Sequence, residues 1–115
     1  MKSEEIDFQE AIEDALDSLP QELREFMSNV AIVVEDEPPA GKPLLGLYEG
    51  LPLTRRGSGY AGVAPDKITI YRGPLERGWG ADPARLSREI RRVVLHEVAH
   101  HFGISDERLR EIDRY

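Results

Sequence analysis

Three residues near the end of the sequence, His96, Glu97 and His100, could act together at a metal ion. Four residues advance a helix by about 400°, so the two imidazoles would lie within about 40° of each other and one turn apart. Their nitrogens can then reach one ion at about 2.0–2.1 Å. Glu97 is offset from His96 by about 100°, which makes it a poor third ligand but lets its carboxylate reach a water beside the ion. A general base requires that position.

Two residues that follow the histidines would complete such a site. A catalytic zinc usually takes about three protein ligands and a water. Gly103 is expected to turn the chain, so that Asp106 can bring a carboxylate back toward His100. The pattern HExxHxxGxxD thus gives both histidines, the glutamate, the glycine and the aspartate a role in one metal site. The alternative is a plain helix with surface or core histidines. His101 lies about 100° from His100, so packing or support of a ligand is expected for it rather than ligation.

A long helix is predicted to carry these residues. Asp82 provides an N-cap and Pro83 the first helical position. The run ARLSREIRRVVLHEVAHHF should end at Gly103, which can adopt the left-handed conformation. The arginines of this run are expected to form a solvated face that Glu89 balances: Arg85, Arg88, Arg91 and Arg92. Asp106 also begins a predicted short final helix, ERLREIDR.

The preceding sequence predicts a small sheet and an N-terminal helix. Residues 4–19 have the apolar spacing of a helix, with Ser3 as N-cap and Pro20 at its end, and a short helical stretch follows over QELREFMSN. β-Branched or alternating runs predict strands over residues 30–36, 44–50 and 67–73, and the apolar run at residues 30–36 is expected to be buried. Glycine and proline predict loops over residues 54–66 and 74–81. The sum is an α+β domain, with a small mixed sheet of about three strands packed against the long helix.

The whole sequence has the composition of one ordinary globular domain. Its 115 residues allow a single core, and it is 40% hydrophobic and 32% charged. A net charge of −7 argues against a nucleic-acid partner, which needs a basic face. Without cysteine, neither disulfides nor thiolate ligands are available. The acidic start lacks the apolar core of a secretory signal, and no apolar run could span a bilayer, so a cytoplasmic protein without membrane contact is expected.

The motif and its neighbours resemble those of a known family. HEVAHHFGISDERL together with LLGLYEG is similar to the small bacterial zincin-like metallopeptidases, and HExxHxxGxxD is also the motif of Asp-type zincins. The resemblance implies a zincin-like fold but no known substrate; a peptide or protein substrate is what the peptidase hypothesis below predicts. It also implies one zinc ion held by His96, His100 and Asp106. Glu97 would then be the catalytic base. Unlike the larger metzincins, the sequence has an aspartate as third ligand and no methionine after the motif, and we expect a shallow groove.

The leading hypothesis is a zinc-dependent peptidase. An extended peptide would pair with an exposed strand edge, either residues 44–49 or residues 67–72. The alternative is a metal-binding scaffold or protein-interaction module whose zincin site turns over little. A metal-dependent RNA endonuclease of the HxxxHxxGxxH type shares the helix and the glycine, but it lacks the glutamate, and a charge of −7 is unfavourable for RNA. The oligomeric state is open, a homodimer included.

Aromatic residues could assist this chemistry. Tyr48, Tyr60 and Tyr71 could each donate a hydrogen bond to a tetrahedral oxyanion, although packing is the preferred interpretation for all of them. In place of a methionine, the ring or terminal carboxylate of Tyr115 could fold back under the two histidines. The alternative for Tyr115 is a disordered tail.

Overall fold

Four helices and three strands form the part of the protein that its structure, a computed structural model, describes: residues 7–50, 66–105 and 107. The helices are α1 (Phe8–Asp17), α2 (Gln21–Arg24), α3 (Arg72–Trp79) and α4 (Pro83–His101), with a 3₁₀ turn at Glu25–Met27 after α2. The strands are β1 (Val30–Glu35), β2 (Gly46–Glu49) and β3 (Asp66–Tyr71). Within these residues, none of the helices has the length and apolar character needed to cross a membrane.

The strands form one mixed sheet in the order β1-β3-β2. β3 pairs in parallel with β1 and antiparallel with β2, so Ile68 lies opposite Ile32 on one side and Tyr48 on the other. Ile68 and Ile70 of this central strand are fully buried, whereas most side chains of β1 are only half-buried. β1 is therefore an edge strand and not the buried strand that its apolar sequence predicts. The predicted α+β fold with a small mixed sheet is confirmed.

The hydrophobic core lies between the sheet and the two longest helices. α1 packs against α4, and α4 also contacts β2 and β3. The fully buried side chains of this core include Ile12 of α1, Leu75 of α3, and Ile90 and Val94 of α4. Because one face of α4 is buried in this way, the polar residues near its C-terminal end have defined positions.

Helix α1 begins later than its sequence predicts. Asp7 is the N-cap, and its side chain accepts a hydrogen bond from the Glu10 N–H at 3.1 Å. The prediction of Ser3 as the N-cap is wrong for this helix, because aspartate caps as well as serine and stands directly before the first core residue, Phe8. Ser3 itself lies outside the described residues. The predicted end of the helix before Pro20 is confirmed.

Residues 74–81 are predicted to be a loop, but most of them belong to helix α3, so that prediction is wrong. Pro74 lies in the first turn, where a missing N–H removes no helical hydrogen bond, so the proline also suits the start of a helix. Leu75 is completely buried, and Trp79, one turn later, packs against the core. Of the other predicted loop the structure describes only Asp66, which begins strand β3.

Candidate metal centre

Helix α4, which carries the candidate ligands, begins and ends where its sequence predicts. The Asp82 side chain accepts a hydrogen bond from a first-turn N–H at 3.2 Å, and Pro83 is the first helical residue. Gly103, two residues after the end of the helix, has a φ of 88°, which a residue with a side chain rarely adopts. Both predicted boundaries are therefore confirmed.

The chain reverses at Gly103 through a Schellman motif. The Gly103 N–H donates to the His100 carbonyl at 2.9 Å, and the Ile104 N–H donates to the Ala99 carbonyl at 2.9 Å. This turn brings the Ile104 carbonyl oxygen within 2.8 Å of Nδ1 of the His100 ring. Because a carbonyl only accepts, Nδ1 carries the proton. The lone pair of the neutral ring then lies on Nε2, the nitrogen that can ligate a metal.

His96, Glu97 and His100 converge near the C-terminal end of α4. Each offers one ligand atom, and these atoms all lie within 4.8 Å of one another. The two imidazole rings are nearly perpendicular, at 87°, with their centroids 4.8 Å apart. Zinc takes imidazole and carboxylate donors, so this donor set fits it. Glu97 belongs to this donor set although its angular offset predicts a poor third ligand, so its carboxylate is a candidate ligand as well as a candidate base.

The Glu97 side chain lies where β2 approaches α4, and only 7% of the residue is exposed. Gly46 of β2 permits this approach, since a Cβ there would lie 2.7 Å from Val93 Cγ1 and 3.3 Å from Glu97 Cγ. A glycine at this position lets the strand backbone pass directly over the helix. The Glu97 side chain is therefore packed between α4 and the backbone of β2.

A groove of about 270 Å³ opens beside Glu97. One wall is formed by residues 43–46, which lead into β2, and the other by Arg92, Val93, His96 and Glu97 of α4. Its volume is slightly below the roughly 300–1,000 Å³ of typical ligand pockets. Arg92 is assigned by the sequence only to a solvated face. Its position four residues before His96, on the same side of the helix, is the signal that could have placed it in the groove.

His101 belongs to a buried network and not to the candidate metal site. It is 1% exposed, with Nδ1 2.8 Å from Asp66 Oδ2 and Nε2 3.1 Å from the Phe26 carbonyl oxygen. The Tyr48 hydroxyl donates to the same Asp66 oxygen at 2.6 Å. Because both ring nitrogens are engaged inside the protein, His101 is not a ligand candidate, and the packing role predicted for it is confirmed. The Tyr48 hydroxyl likewise serves this network.

The remaining predicted site residues lie in the core or outside the described part of the chain. Asp106, Tyr60 and Tyr115 lie outside the described residues, as does nearly all of the predicted final helix, so their roles stay predictions. Tyr71 is 4% exposed, and burial raises the pKa of its hydroxyl above the usual value. The packing role expected for Tyr71 is therefore confirmed.

A small mixed sheet, an edge strand beside a long helix, and the HExxH pattern on that helix together define a zincin-like protein. The chain belongs to the zincin-like metallopeptidase family, whose family model matches residues 27–115. The resemblance inferred from the motif is thereby confirmed. The match begins at the end of the 3₁₀ turn and covers the whole sheet together with α3 and α4. A comparison with curated proteins found no match.

Proposed function

We propose that the protein is a zinc-dependent peptidase. In this proposal His96, His100 and Asp106 hold the zinc, and Glu97 is the general base. The observation that carries it is the convergence of two imidazoles and the Glu97 carboxylate, within 4.8 Å of one another, beside a groove. Membership of a metallopeptidase family supports it. Asp106 is included because it follows Ile104 by two residues after the chain reversal and matches the motif of Asp-type zincins.

The described residues have distinct roles in this chemistry. Zinc, when bound, supplies Lewis-acid polarisation of the scissile carbonyl and lowers the pKa of a water toward about 7. Glu97 accepts a proton from the attacking water and later delivers it to the leaving amine, so one carboxyl serves both transfers. Its near-burial beside β2 limits exchange of that proton with solvent. The Ile104 carbonyl orients the His100 ring by holding its Nδ1–H.

The substrate would lie along β2, because β3 has no unpaired edge. β3 is hydrogen-bonded to β1 on one side and to β2 on the other, which leaves residues 44–49 as the edge to be preferred. Among the described strands β2 pairs only with β3, and its first residue, Gly46, lines the groove beside Glu97. Main-chain hydrogen bonds to this edge would hold an extended peptide with its scissile bond near the carboxylate.

The proposal is tested with the zinc-loaded protein and a broad peptide library. We expect cleavage that falls at least about 100-fold in Glu97→Ala, the scale of a lost general base, while the zinc content is retained. Glu13→Ala, which removes an exposed glutamate of α1, should cleave like the unaltered protein. Loss of zinc from Glu97→Ala would instead identify Glu97 as a ligand. Absence of zinc-dependent cleavage throughout the library would overturn the proposed peptidase function.

The alternative, a metal-binding interaction module, has one observation in its favour. Leu23 and Phe26, the exposed large hydrophobic residues of the described chain, are 37% and 55% exposed. The Phe26 ring contacts Phe102 edge to face, with centroids 6.2 Å apart, so an apolar patch lies at the C-terminal end of α4. Such a patch can contact a partner protein. Zinc binding without cleavage in the library experiment would favour this second function.

A further inference from the structure

Arg92 is the positively charged side chain that the described residues place in the groove. It lies four residues before His96, about 6 Å along the helix axis. Its side chain is 69% exposed. Apart from His96 and Glu97, the other residues that line the groove are apolar or glycine. A peptide in the groove would therefore pass a guanidinium one turn away from the proposed zinc ligands.

Glu89 forms an ion pair with Arg92 that leaves most of the N–H donors of Arg92 unused. Nη1 of Arg92 lies 3.6 Å from Glu89 Oε1, which is close enough for an ion pair but too long for a hydrogen bond. That oxygen accepts no hydrogen bond within the described residues, and the other lies 3.2 Å from Arg85 Nε. Only 12% of the Glu89 side chain is exposed, so its carboxylate is held in place. One carboxylate thus faces two guanidiniums, and Arg92 keeps N–H donors for a further acceptor.

We propose that Arg92 binds a carboxylate of the substrate and makes the enzyme selective for acidic peptides, an inference that rests on the proposed peptidase function. A guanidinium matches a carboxylate with two parallel hydrogen bonds. The backbones of Arg92 and His96 lie about 6 Å apart along the helix axis, and the guanidinium reaches back toward Glu89. Because an extended peptide advances about 3.3 Å per residue, the guanidinium meets a residue about two to three positions from the scissile bond. The carboxylate is that of an acidic side chain or of the peptide C-terminus.

The charge of the whole protein makes this a local effect. A net charge of −7 opposes the approach of acidic peptides in general. Selectivity for a carboxylate must therefore come from direct contact with Arg92 in the groove. Such contact is expected in KM more than in kcat, because it holds the substrate before and during the reaction alike.

The inference is tested with zinc-loaded protein and paired peptides. Each pair carries Glu or Gln at one position within three residues of the scissile bond, and a further pair differs only in a free or amidated C-terminus. We expect kcat/KM to be about tenfold or more higher for the charged member of one pair, the scale of a hydrogen-bonded ion pair. The pair that shows the preference distinguishes recognition of a side chain from recognition of the C-terminus.

Substitutions then assign the preference to the guanidinium. Arg92→Gln should abolish it, Arg92→Lys should retain part of it, and Arg92→Glu should favour peptides with Lys at the same position. Arg91→Gln removes an exposed arginine that does not line the groove, and it should keep the full preference. Equal preference in Arg92→Gln and the unaltered protein, at unchanged thermal midpoints, would overturn the inference.

A binding measurement separates this inference from the proposed function. The zinc-loaded Glu97→Gln protein is titrated with the same peptides, fluorescently labelled, and Kd is read from polarisation. A preference for the charged peptide that the added Arg92→Gln substitution removes would support Arg92 even if the unaltered protein cleaves nothing. Cleavage without any preference would overturn the inference and leave the peptidase standing. No preference in either assay would overturn the inference as well.

Discussion

The Ile104 carbonyl determines how His100 can serve as a ligand. An imidazole on a helix surface ordinarily samples several orientations, and a metal ion must then order it at an entropic cost. Here a 2.8 Å hydrogen bond to Nδ1 holds the ring and its tautomer in advance. The bond exists because Gly103, two residues after the helix end, allows the chain to turn back. A backbone group therefore holds a candidate metal ligand in its orientation.

Each histidine of the pair should be required for zinc. We expect one ion per chain, and we expect His96→Ala or His100→Ala to abolish binding, because a single imidazole leaves too few ligands for a tetrahedral ion. Metal analysis of dialysed protein measures the zinc content. Full stoichiometry in the double variant would contradict the assignment.

Asp106 is the residue whose role depends most on the motif. Asp106→Ala should weaken zinc by more than the roughly 10–100-fold that loss of an outer partner causes, because a direct ligand is removed. Glu107→Ala, which removes the exposed neighbouring carboxylate, should leave zinc affinity unchanged. Cobalt-substituted protein provides the readout, since its absorption spectrum reports a change of ligand. A spectrum that Asp106→Ala does not alter would count against Asp106.

At the scale of secondary-structure elements, the close approach of β2 to α4 shapes the groove. In Gly46→Ala the new Cβ would lie 2.7 Å from Val93 Cγ1 and 3.2 Å from the Thr69 carbonyl oxygen, so strand and helix must move apart. We expect unfolding free energy to fall by about 1–3 kcal/mol, as in other overpacked sites, together with peptidase activity. Chemical denaturation and the library assay measure the two effects.

Gly78 offers a matched control for this substitution. It lies within α3, and a Cβ there meets nothing within 4 Å. Gly78→Ala should therefore raise the free energy of unfolding by up to about 1 kcal/mol, because alanine favours a helix. A Gly46→Ala protein as stable and active as Gly78→Ala would show that the contact between β2 and α4 is not tight.

The network around His101 joins α4 to β3 and to the 3₁₀ turn. His101→Ala would leave a cavity and remove a buried partner of Asp66, so we expect unfolding free energy to fall by about 2–4 kcal/mol. Zinc binding at low temperature should survive, because His101 is not a ligand. His96→Ala should show the reverse, with zinc lost and metal-free stability changed by less than about 1 kcal/mol. Chemical denaturation measures the stability and metal analysis measures the zinc content. Zinc loss in His101→Ala with zinc retained in His96→Ala would contradict both assignments.

Helix α4 is predictable because all its local signals agree: a capping aspartate, a proline in the first position, an apolar face and a terminal glycine. Helix α3 is not predictable, because Pro74 and the glycines around it are also typical of a loop. Burial of Leu75 is what favours the helix there. Strand order is not predictable either. β3 inserts between β2 and β1, and that pairing depends on packing against the helices rather than on any turn sequence.

The candidate site divides in the same way. His96 and His100 stand four residues apart on a helix, so spacing alone predicts that their rings meet. The offset of about 100° between His96 and Glu97 does not predict that the Glu97 carboxylate joins the same donor set. Asp66 stands 35 residues before His101, and only the folded sheet brings the two together. The spacing of four residues places Arg92 on the same side of the helix as His96, but only the folded chain shows that residues 43–46 form the opposite wall of a groove there.

For the whole molecule, zinc should act as a stabilising ligand. An ion that binds only the folded chain adds about 2.7 kcal/mol at about 100 times its Kd, which for a domain of this size raises the thermal midpoint by about 10 °C. Scanning calorimetry with added zinc, and again with a chelator, measures the shift. His100→Ala should show none, and an equal shift in that variant would place the binding elsewhere.

The family match starts at Met27, yet α1 lies before it and packs Phe8, Ile12 and Ala15 into the core against α4. The stretch that the family model matches is therefore shorter than the stretch that contributes to the hydrophobic core. A fragment that begins at Met27 would keep every proposed ligand. It would, however, expose to water the apolar face of α4 that α1 covers. Anyone who shortens this protein should keep α1 together with its Asp7 cap.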